Sequence, residues 1–564
     1  MTAGPSMPPP SQAEGHLQPR LSRLTMVAMT FAILNTWIAL AGSLGLVLPS
    51  GGSISFLYGF IFCVACNFAL AASLGELAAI WPTAGGQYHF VYSLCTEKWR
   101  KPVSFWVGWT NIAGWLTLVT TEGFFAAQFI SAAAVMASNE RYVIESWKTY
   151  LIFLAILTFT TGSNIWGNKI LGRWNDAALY WSILAVVVIS IVLLTTSSKT
   201  DADFVFAGFQ NETGWPNGIA WILGLLQSAL SLIGFDACLH MTEEMPTPSK
   251  DAPRAILYAV AVGGVTGTAF LIVILFCLTD PVTVLSTPTK MPICELIYQA
   301  TGSRAAATVL TLMLAMCFIS GVNGCITSAS RLTYSMARDG GIVGPKFFSH
   351  ISPTLHVPVR TIVLCFIFNA AFGLLYIGPT VAFSAYSASC TIFLNVSYAT
   401  PVILLLIRGR GVLAEHQISS QGSFKMGRRI GAVVNWIAAL FVVVTSVFFC
   451  FPTSLPVSSS YMTLDYVAAV IGIFLIVMSS FWMLFGRHFE GPVSQDVPLA
   501  SLRGKYCREI TRRPLQKFEA IRATHPVSGS VADTQHLSDT SVSYFQEKGD
   551  DQEGSTGKGR GIVW

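Results

Sequence analysis

The sequence predicts an all-α integral membrane protein with twelve transmembrane helices, and its composition, its apolar runs and its charge distribution all support this. Of the 564 residues, 53% are hydrophobic and only 11% are charged. Soluble domains carry about 25% charged residues, so this chain has too few charges to cover a water-facing surface. The formal net charge of +5 is small and does not indicate a nucleic-acid partner.

Twelve apolar runs have the length and polarity expected of membrane-spanning helices. They lie at 24–48, 54–80, 103–137, 149–166, 177–197, 218–241, 255–279, 306–334, 359–377, 380–407, 431–451 and 463–486. The third and eighth runs are long, which predicts tilt or extension beyond the bilayer. Polar, Pro-rich or Ser-rich segments flank the twelve-helix domain at 21–486, and we expect disordered tails at 1–20 and 487–564.

The distribution of Lys and Arg predicts the orientation of the chain. With a cytosolic N-terminus, eighteen of these cations fall in inner segments and five in outer loops. This bias predicts that both termini are cytosolic. The same topology places Asn211 outside, in an Asn-Glu-Thr sequon, so Asn211 is a candidate glycosylation site. We expect the plasma membrane, with a vacuolar or other internal membrane as the alternative.

The sixth run carries an acid, Asp236, near its middle, at the depth of the bilayer. An acid at that depth is costly and usually faces a cavity or a partner group. Gly234 beside it lowers the cost of leaving helical geometry. A helix broken in the membrane exposes backbone groups, which is tolerated only where they line a cavity. We therefore expect a discontinuous sixth helix that helps to hold a small polar solute.

The first run contains Gly42-Ser43-Leu44-Gly45 followed by Pro49, which predicts a second break. Such a break would leave free N–H groups on one half-helix and free C=O groups on the other. The N–H end suits a carboxylate, and the C=O end suits an ammonium or another cation. Alternatively, the glycines only allow close helix packing. Breaks in the first and sixth helices, five helices apart, are typical of inverted-repeat transporters.

Four segments together resemble the amino acid–polyamine–organocation superfamily, and within it the fungal branch of amino acid, GABA and choline permeases. They are LAGSLGLVLPSGG in the first run, PTAGGQY at 82–88, GFDACLHMTEE in the sixth run and SRLTYSMARDGG at 330–341. The resemblance covers about 24–486. It implies a five-plus-five inverted repeat with two added helices, and alternating access around a site between spans 1, 3, 6 and 8.

The resemblance also implies which residues contact the substrate. In the first span they are Ala41, Gly42, Ser43 and Leu44. This segment matches the family's Gly-Ser-Gly stretch, whose amides meet a carboxylate, although Leu44 replaces the last glycine and adds bulk. In the sixth span they are Gly234, Phe235, Asp236 and Ala237. Here carbonyl groups meet the substrate ammonium, and Phe235 would cover it.

Three titratable side chains are candidates for pairing with a cation or carrying a coupling proton. Asp236 could do either, or could cap the broken helix. Glu122 lies near the middle of the third run and could likewise pair with a cation or carry a proton. Alternatively, it forms a hydrogen bond to a neighbouring helix. His240, one turn after Asp236, is either a proton relay or a structural histidine. No metal-ligand cluster stands out, and we expect neither a metal nor a cofactor.

The predicted function is that of a secondary active permease for a small nitrogenous solute such as an amino acid, GABA or choline. Uptake coupled to protons is the expected mode, and the two buried acids favour a solute with a positive head. A sodium site that includes Thr327 and Ser328 stays open. The alternatives are a nutrient-sensing receptor on the same fold and an amine or polyamine exporter. No phosphate-binding loop appears, and no pattern of an enzyme nucleophile and base stands out.

Overall fold

A computed structural model describes residues 22–167, 169–378, 382–413, 424–456 and 463–492, all within one compact unit, 1–495. Of the two tails that we predict to be disordered, 1–20 lies outside the described residues, and so does 487–564 apart from 487–492. Both predictions therefore remain untested.

The described residues form helices joined by turns. The first five spans are built from α1 (Arg23–Leu34), α2 (Thr36–Gly42), α3 (Leu44–Val47), α4 (Gly52–Ile80), α5 (Gln87–Leu94), α6 (Arg100–Ala137), α7 (Ser146–Trp166), α8 (Leu171–Thr196) and α9 (Ala202–Ala207). The next five are built from α10 (Asn217–Leu230), α11 (Ala237–His240), α12 (Pro248–Cys277), α13 (Pro281–Leu285), α14 (Pro292–Thr301), α15 (Arg304–Arg338), α16 (Pro345–Phe348), α17 (Val359–Gly373) and α18 (Ala382–Arg408). The last two spans are α19 (Arg428–Phe448) and α20 (Thr463–Phe485).

This architecture confirms the twelve-span prediction. Eleven spans among the described residues are long and apolar enough to cross a membrane. The twelfth is the sixth span, which the structure divides into α10 and α11. The two halves correspond: each begins with a broken helix, has short helices after its second span and has a very long third span, α6 or α15. At 38 residues, α6 is about 57 Å long, so it extends beyond a hydrocarbon core of about 30 Å.

The helices α6 and α15 form the centre of the bundle. They pack against each other, and α1 packs against α15 while α18 packs against α6. In the most apolar stretch of α6, 83% of the residues are buried. In the corresponding stretch of the last span, α20, only 11% of the residues are buried. Side chains that α6 directs toward α1, α11 and α15 therefore lie away from lipid, which is where a polar site is tolerated.

The first span is broken at two places, at Asn35 and at Ser43, and the second of these lies inside the predicted Gly42–Gly45 break. Asn35 has left-handed backbone angles (φ 44°, ψ 30°), a region that Asn enters more readily than most residues. Asn35 N still donates to Phe31 O. The next backbone hydrogen bond across this break is the one that Ile38 N donates to Asn35 O. The last carbonyls of α1 are thus left without their usual helical partners.

The second interruption, at Ser43, separates α2 from α3, and hydrogen bonds span it in the same way as they span Asn35. Ser43 N donates to Ala39 O, and Ser43 O accepts from Val47 N. A Cβ on Gly42 would lie 3.0 Å from the Phe125 ring, and one on Gly45 would lie 3.0 Å from Pro292. These glycines permit close packing, which was the alternative interpretation.

The sixth span is broken where the sequence predicted. Its first part, α10, ends at Leu230, and α11 begins at Ala237. Gly234 lies inside the gap with φ +92°, a conformation that L side chains rarely adopt. A Cβ there would also lie 2.9 Å from Ile33 Cγ2, close to the break in the first span. The two breaks therefore face each other in the centre of the protein.

Candidate functional site

Asp236 is fully buried and is the centre of a hydrogen-bond network between three parts of the chain. Its Oδ2 accepts from Gln87 Nε2 at 2.7 Å and from Trp115 Nε1 at 3.3 Å. Its Oδ1 accepts from the Tyr398 hydroxyl at 2.5 Å, and that hydroxyl accepts from Gly234 N at 3.2 Å. Since these donors occupy both carboxylate oxygens, the network braces the break in the sixth span.

His240 is also fully buried, and its contacts define where a proton can sit. Its Nδ1 lies 3.0 Å from Ala84 O, which can only accept, so Nδ1 carries a hydrogen. In the neutral ring, Nε2 is then an acceptor, 3.1 Å from Trp115 Nε1 and 3.1 Å from Asp236 Oδ2. One further proton would lie between Nε2 and Oδ2. The pair Asp236–His240 can therefore hold one exchangeable proton.

Glu122 lies in a different environment, beside the break in the first span. Its Oε2 accepts from Asn35 Nδ2 at 2.8 Å, and Asn35 Nδ2 also lies 3.5 Å from Cys317 O. A Cβ on Gly321 would fall 2.6 Å from Glu122 Oε2 and 3.2 Å from Ala32 O, so only a glycine leaves this space open. The group combines a carboxylate with backbone carbonyls, which favours a positive charge.

Glu122 and Trp115, the indole that contacts Asp236, lie on the same face of α6. Seven residues separate them, which is two helical turns or about 10 Å along the axis. Asp236 accepts from several donors, whereas the one hydrogen bond that Glu122 makes among the described residues comes from a neutral amide. The two acids are therefore suited to different roles.

The first-span residues that we expected to contact substrate lie at the second interruption: Ala41 and Gly42 end α2, Ser43 lies between the helices, and Leu44 begins α3. Ser43 Oγ donates to Ala39 O at 2.7 Å and lies 3.2 Å from Gln227 Oε1. Ala41 and Leu44 are buried, and Gly42 packs on Phe125. Substrate contact at these positions stays a prediction, and the last carbonyl groups of α1, those of Ala32, Ile33 and Leu34, lie seven to twelve residues earlier.

The sixth-span residues lie at the break itself. The Phe235 ring is fully buried and packs against the Tyr398 ring at a centroid distance of 4.8 Å. Ala237 N donates to Gly234 O at 3.1 Å and begins α11. Phe235 as a cover for a substrate ammonium stays a prediction.

Several residues of the network had not been identified as site residues from the sequence. They are Asn35, Gln87 and Tyr398. Gln87 belongs to PTAGGQY, which entered the sequence prediction only as part of the family resemblance. An amide directly after two glycines and before an apolar helix could have indicated that Gln87 is a site residue. The contact that it makes, across 149 positions, could not be read from the sequence.

Ion pairs connect the helices at the end of the bundle where α1 begins. Arg23 lies 2.7 Å from Asp251, and Arg331 lies 3.3 Å from Glu244 with both side chains buried. At the same end, Arg338 pairs with Glu243 and Arg410 with Glu76. This end, predicted to be cytosolic, is therefore tied together in the described conformation.

The predicted glycosylation site and sodium site have other contacts in the structure. Asn211 Nδ2 donates to Trp215 O at 2.7 Å, and its Oδ1 accepts from Thr213 Oγ1. Glycosylation of Asn211 stays a prediction. Thr327 Oγ1 donates to Asn164 Oδ1 at 2.7 Å, so it faces the fourth span rather than the first. Ser328 Oγ is buried without a hydrogen-bond partner among the described residues, and the sodium site stays an open alternative.

Comparison with known proteins identifies the family. The family model described as amino acid permease matches residues 21–477. A protein of Macrophomina phaseolina, provisionally named an amino acid/polyamine transporter, is 33% identical over 438 residues, which are 78% of this chain and 96% of that protein. The choline transporter of Saccharomyces cerevisiae is 31% identical over 481 residues, or 85% of this chain and 83% of that protein.

A plant relative extends this similarity. An amino-acid permease of Arabidopsis thaliana is 28% identical over 496 residues, covering 84% of this chain and 93% of that protein. The family match begins before the first span and ends within the last. The chain is therefore an integral multi-pass membrane protein that belongs to the amino acid permease family.

Proposed function

We propose that this permease carries a small solute with a positively charged nitrogen head, such as choline, and that Glu122 binds that head. The environment of Glu122 is the observation that carries the proposal. Its carboxylate lies at the end of α1, where the free carbonyl groups and the helix dipole both favour a cation. Its described hydrogen-bond partner, Asn35, is a neutral amide and leaves its charge uncompensated.

Similarity supports the same class of solute. Relatives of this chain are named for transport of choline, amino acids and polyamines, all of which carry a cationic nitrogen. Two buried acids near the facing breaks favour a solute with a net positive charge over a zwitterion, because a zwitterion would bring a second carboxylate close to them.

We also propose that transport is coupled to protons and that the Asp236–His240 pair holds the coupling proton. The pair is buried, and its hydrogen-bond geometry has room for one proton between Nε2 and Oδ2. Trp115, which contacts both members of the pair, lies two turns of α6 from Glu122, so the solute and the proton can be bound at the same time. At the plasma membrane, a proton gradient directed into the cell would drive the solute inward, which is the direction that we propose.

Uptake measured in cells that lack their own permeases tests this function. Labelled choline, GABA and a panel of amino acids should be offered separately, at several external pH values. We expect accumulation of choline, faster at low external pH. If no solute enters but one changes a downstream signal, the protein is a receptor; if preloaded polyamine leaves the cells instead, it is an exporter.

A further inference from the structure

A groove on the lipid-facing surface lies between the tenth and eleventh spans. It has a volume of about 440 Å³ and is lined by Ile403, Leu406 and Ile407 of α18 and by Trp436, Leu440 and Val443 of α19. Ile407 is 74% exposed, Trp436 65% and Leu440 63%. Each lining side chain is apolar or aromatic, so the groove suits a hydrocarbon chain.

Exposed cations lie at the end of this groove where α18 finishes and α19 begins. Arg408 directly follows the groove residue Ile407. Lys425, Arg428 and Arg429 stand just before or at the start of α19 and are exposed. Among the described residues, no ion pair compensates any of these four charges. Arg410 is excluded from the set because its guanidinium is buried against Glu76.

The distances match the dimensions of a phospholipid. Seven residues of α19 separate Arg429 from Trp436, which is about 10 Å along the helix axis. This is comparable to the thickness of a headgroup layer, about 5–8 Å on each side of the hydrocarbon core. An indole at the inner edge of such a layer is typical of a membrane interface. The cations thus lie at headgroup depth when acyl chains fill the groove.

We propose that this groove and its cations form a binding site for an anionic phospholipid of the leaflet that faces the chain termini. The acyl chain lies along α18 and α19, and Arg408, Arg428 and Arg429 contact the phosphate and the acidic headgroup. Basic clusters at the cytoplasmic ends of spans, next to pockets between helices, recognise anionic lipids in this way. The site is independent of the transported solute.

Native mass spectrometry of the purified full-length protein tests the proposal. Phosphatidylserine and phosphatidylcholine with identical acyl chains are added to delipidated protein, and the bound fraction of each is measured. We expect at least about tenfold greater retention of phosphatidylserine. The triple variant Arg408→Gln, Arg428→Gln, Arg429→Gln should lose this preference, whereas Lys98→Gln, Lys101→Gln, Lys250→Gln, which removes three exposed cations from the same end, should keep it.

A second variant tests the groove without changing the charge. Leu440→Trp fills the groove and leaves all four cations in place, so phosphatidylserine retention should fall severalfold. Equal retention of both lipids by the wild type would overturn the proposal. It would also be overturned if the triple lysine variant lost the preference for phosphatidylserine as strongly as the triple arginine variant. The same holds if Leu440→Trp had no effect on phosphatidylserine retention.

Discussion

Gln87 Nε2 donates a 2.7 Å hydrogen bond to Asp236 Oδ2 and so ties the segment after the second span to the break in the sixth. The same amide accepts from Asn111 Nδ2 at 2.7 Å, so both of its ends are used. Two residues later, His89 Nε2 lies 2.8 Å from Asp339 Oδ2 at the end of α15. Helix α5 therefore connects the buried acid with the end of the bundle closed by ion pairs.

Replacement of Gln87 tests this connection. Gln87→Leu would leave Asn111 Nδ2 and one site on Asp236 without their partner, at a cost of about 2 kcal/mol or more. We expect a lower melting temperature in detergent and a several-fold slower uptake. Gln299→Leu, on an exposed glutamine, is the control and should change neither quantity. Wild-type stability and uptake in Gln87→Leu would show that the bond to Asp236 is dispensable.

The charge of Asp236 is expected to be essential for transport. Asp236→Asn keeps the size of the side chain but removes the charge and places an amide among donors, so uptake should fall at least about tenfold. Surface labelling should show normal delivery to the membrane. Asp201→Asn, on an exposed aspartate, should transport normally. Unchanged uptake in Asp236→Asn would refute a role of this acid in the site.

The pH dependence of uptake tests the proton pair. A coupling proton from outside should make wild-type uptake faster as external pH falls. His240→Gln can still donate to Ala84 O, but it cannot take up a proton between its side chain and Asp236. We expect the pH profile of uptake to become flat in this variant. A profile as steep as that of the wild type would place the coupling proton elsewhere.

The space beside Glu122 depends on Gly321. In Gly321→Ala, the new Cβ would overlap the Asn35 amide and the Glu122 carboxylate, because its ideal position is within 2.6 Å of Glu122 Oε2. We expect at least about tenfold slower uptake, as the side chains must move out of place. Gly472→Ala is the matched control, since a Cβ there meets no atom within 4 Å. Equal uptake by the two variants would contradict the geometry of the site.

Much of the fold could be predicted from the sequence, because membrane insertion imposes simple rules on length and polarity. The broken sixth span was predictable because Asp236 and Gly234 are conspicuous in an apolar helix. In the first span, the interruption at Ser43 was predictable from the flanking glycines, the usual signal of irregular backbone, whereas the additional break at Asn35 was not. Here Gly42 and Gly45 provide close packing, while Asn35, an ordinary polar residue, adopts the left-handed conformation.

The partners of the acids could not be predicted, for a different reason. Gln87, Trp115 and Tyr398 reach Asp236 from spans or segments far along the chain, and only the packing of α6 and α18 brings them together. The roles of the two acids were equally open, since both are single carboxylates in apolar helices. Their distinction depends on the number of donors around each, which is a property of the folded protein.

The central claim is that Glu122 binds the positive head of the solute, and the KM for choline in Glu122→Gln tests it most directly. Loss of one charged contact is worth about 1.5–3 kcal/mol, so KM should rise by about 10- to 100-fold at normal surface expression. Glu295→Gln, a change outside the site on α14, should leave KM unchanged. A wild-type KM for choline in Glu122→Gln would contradict the claim.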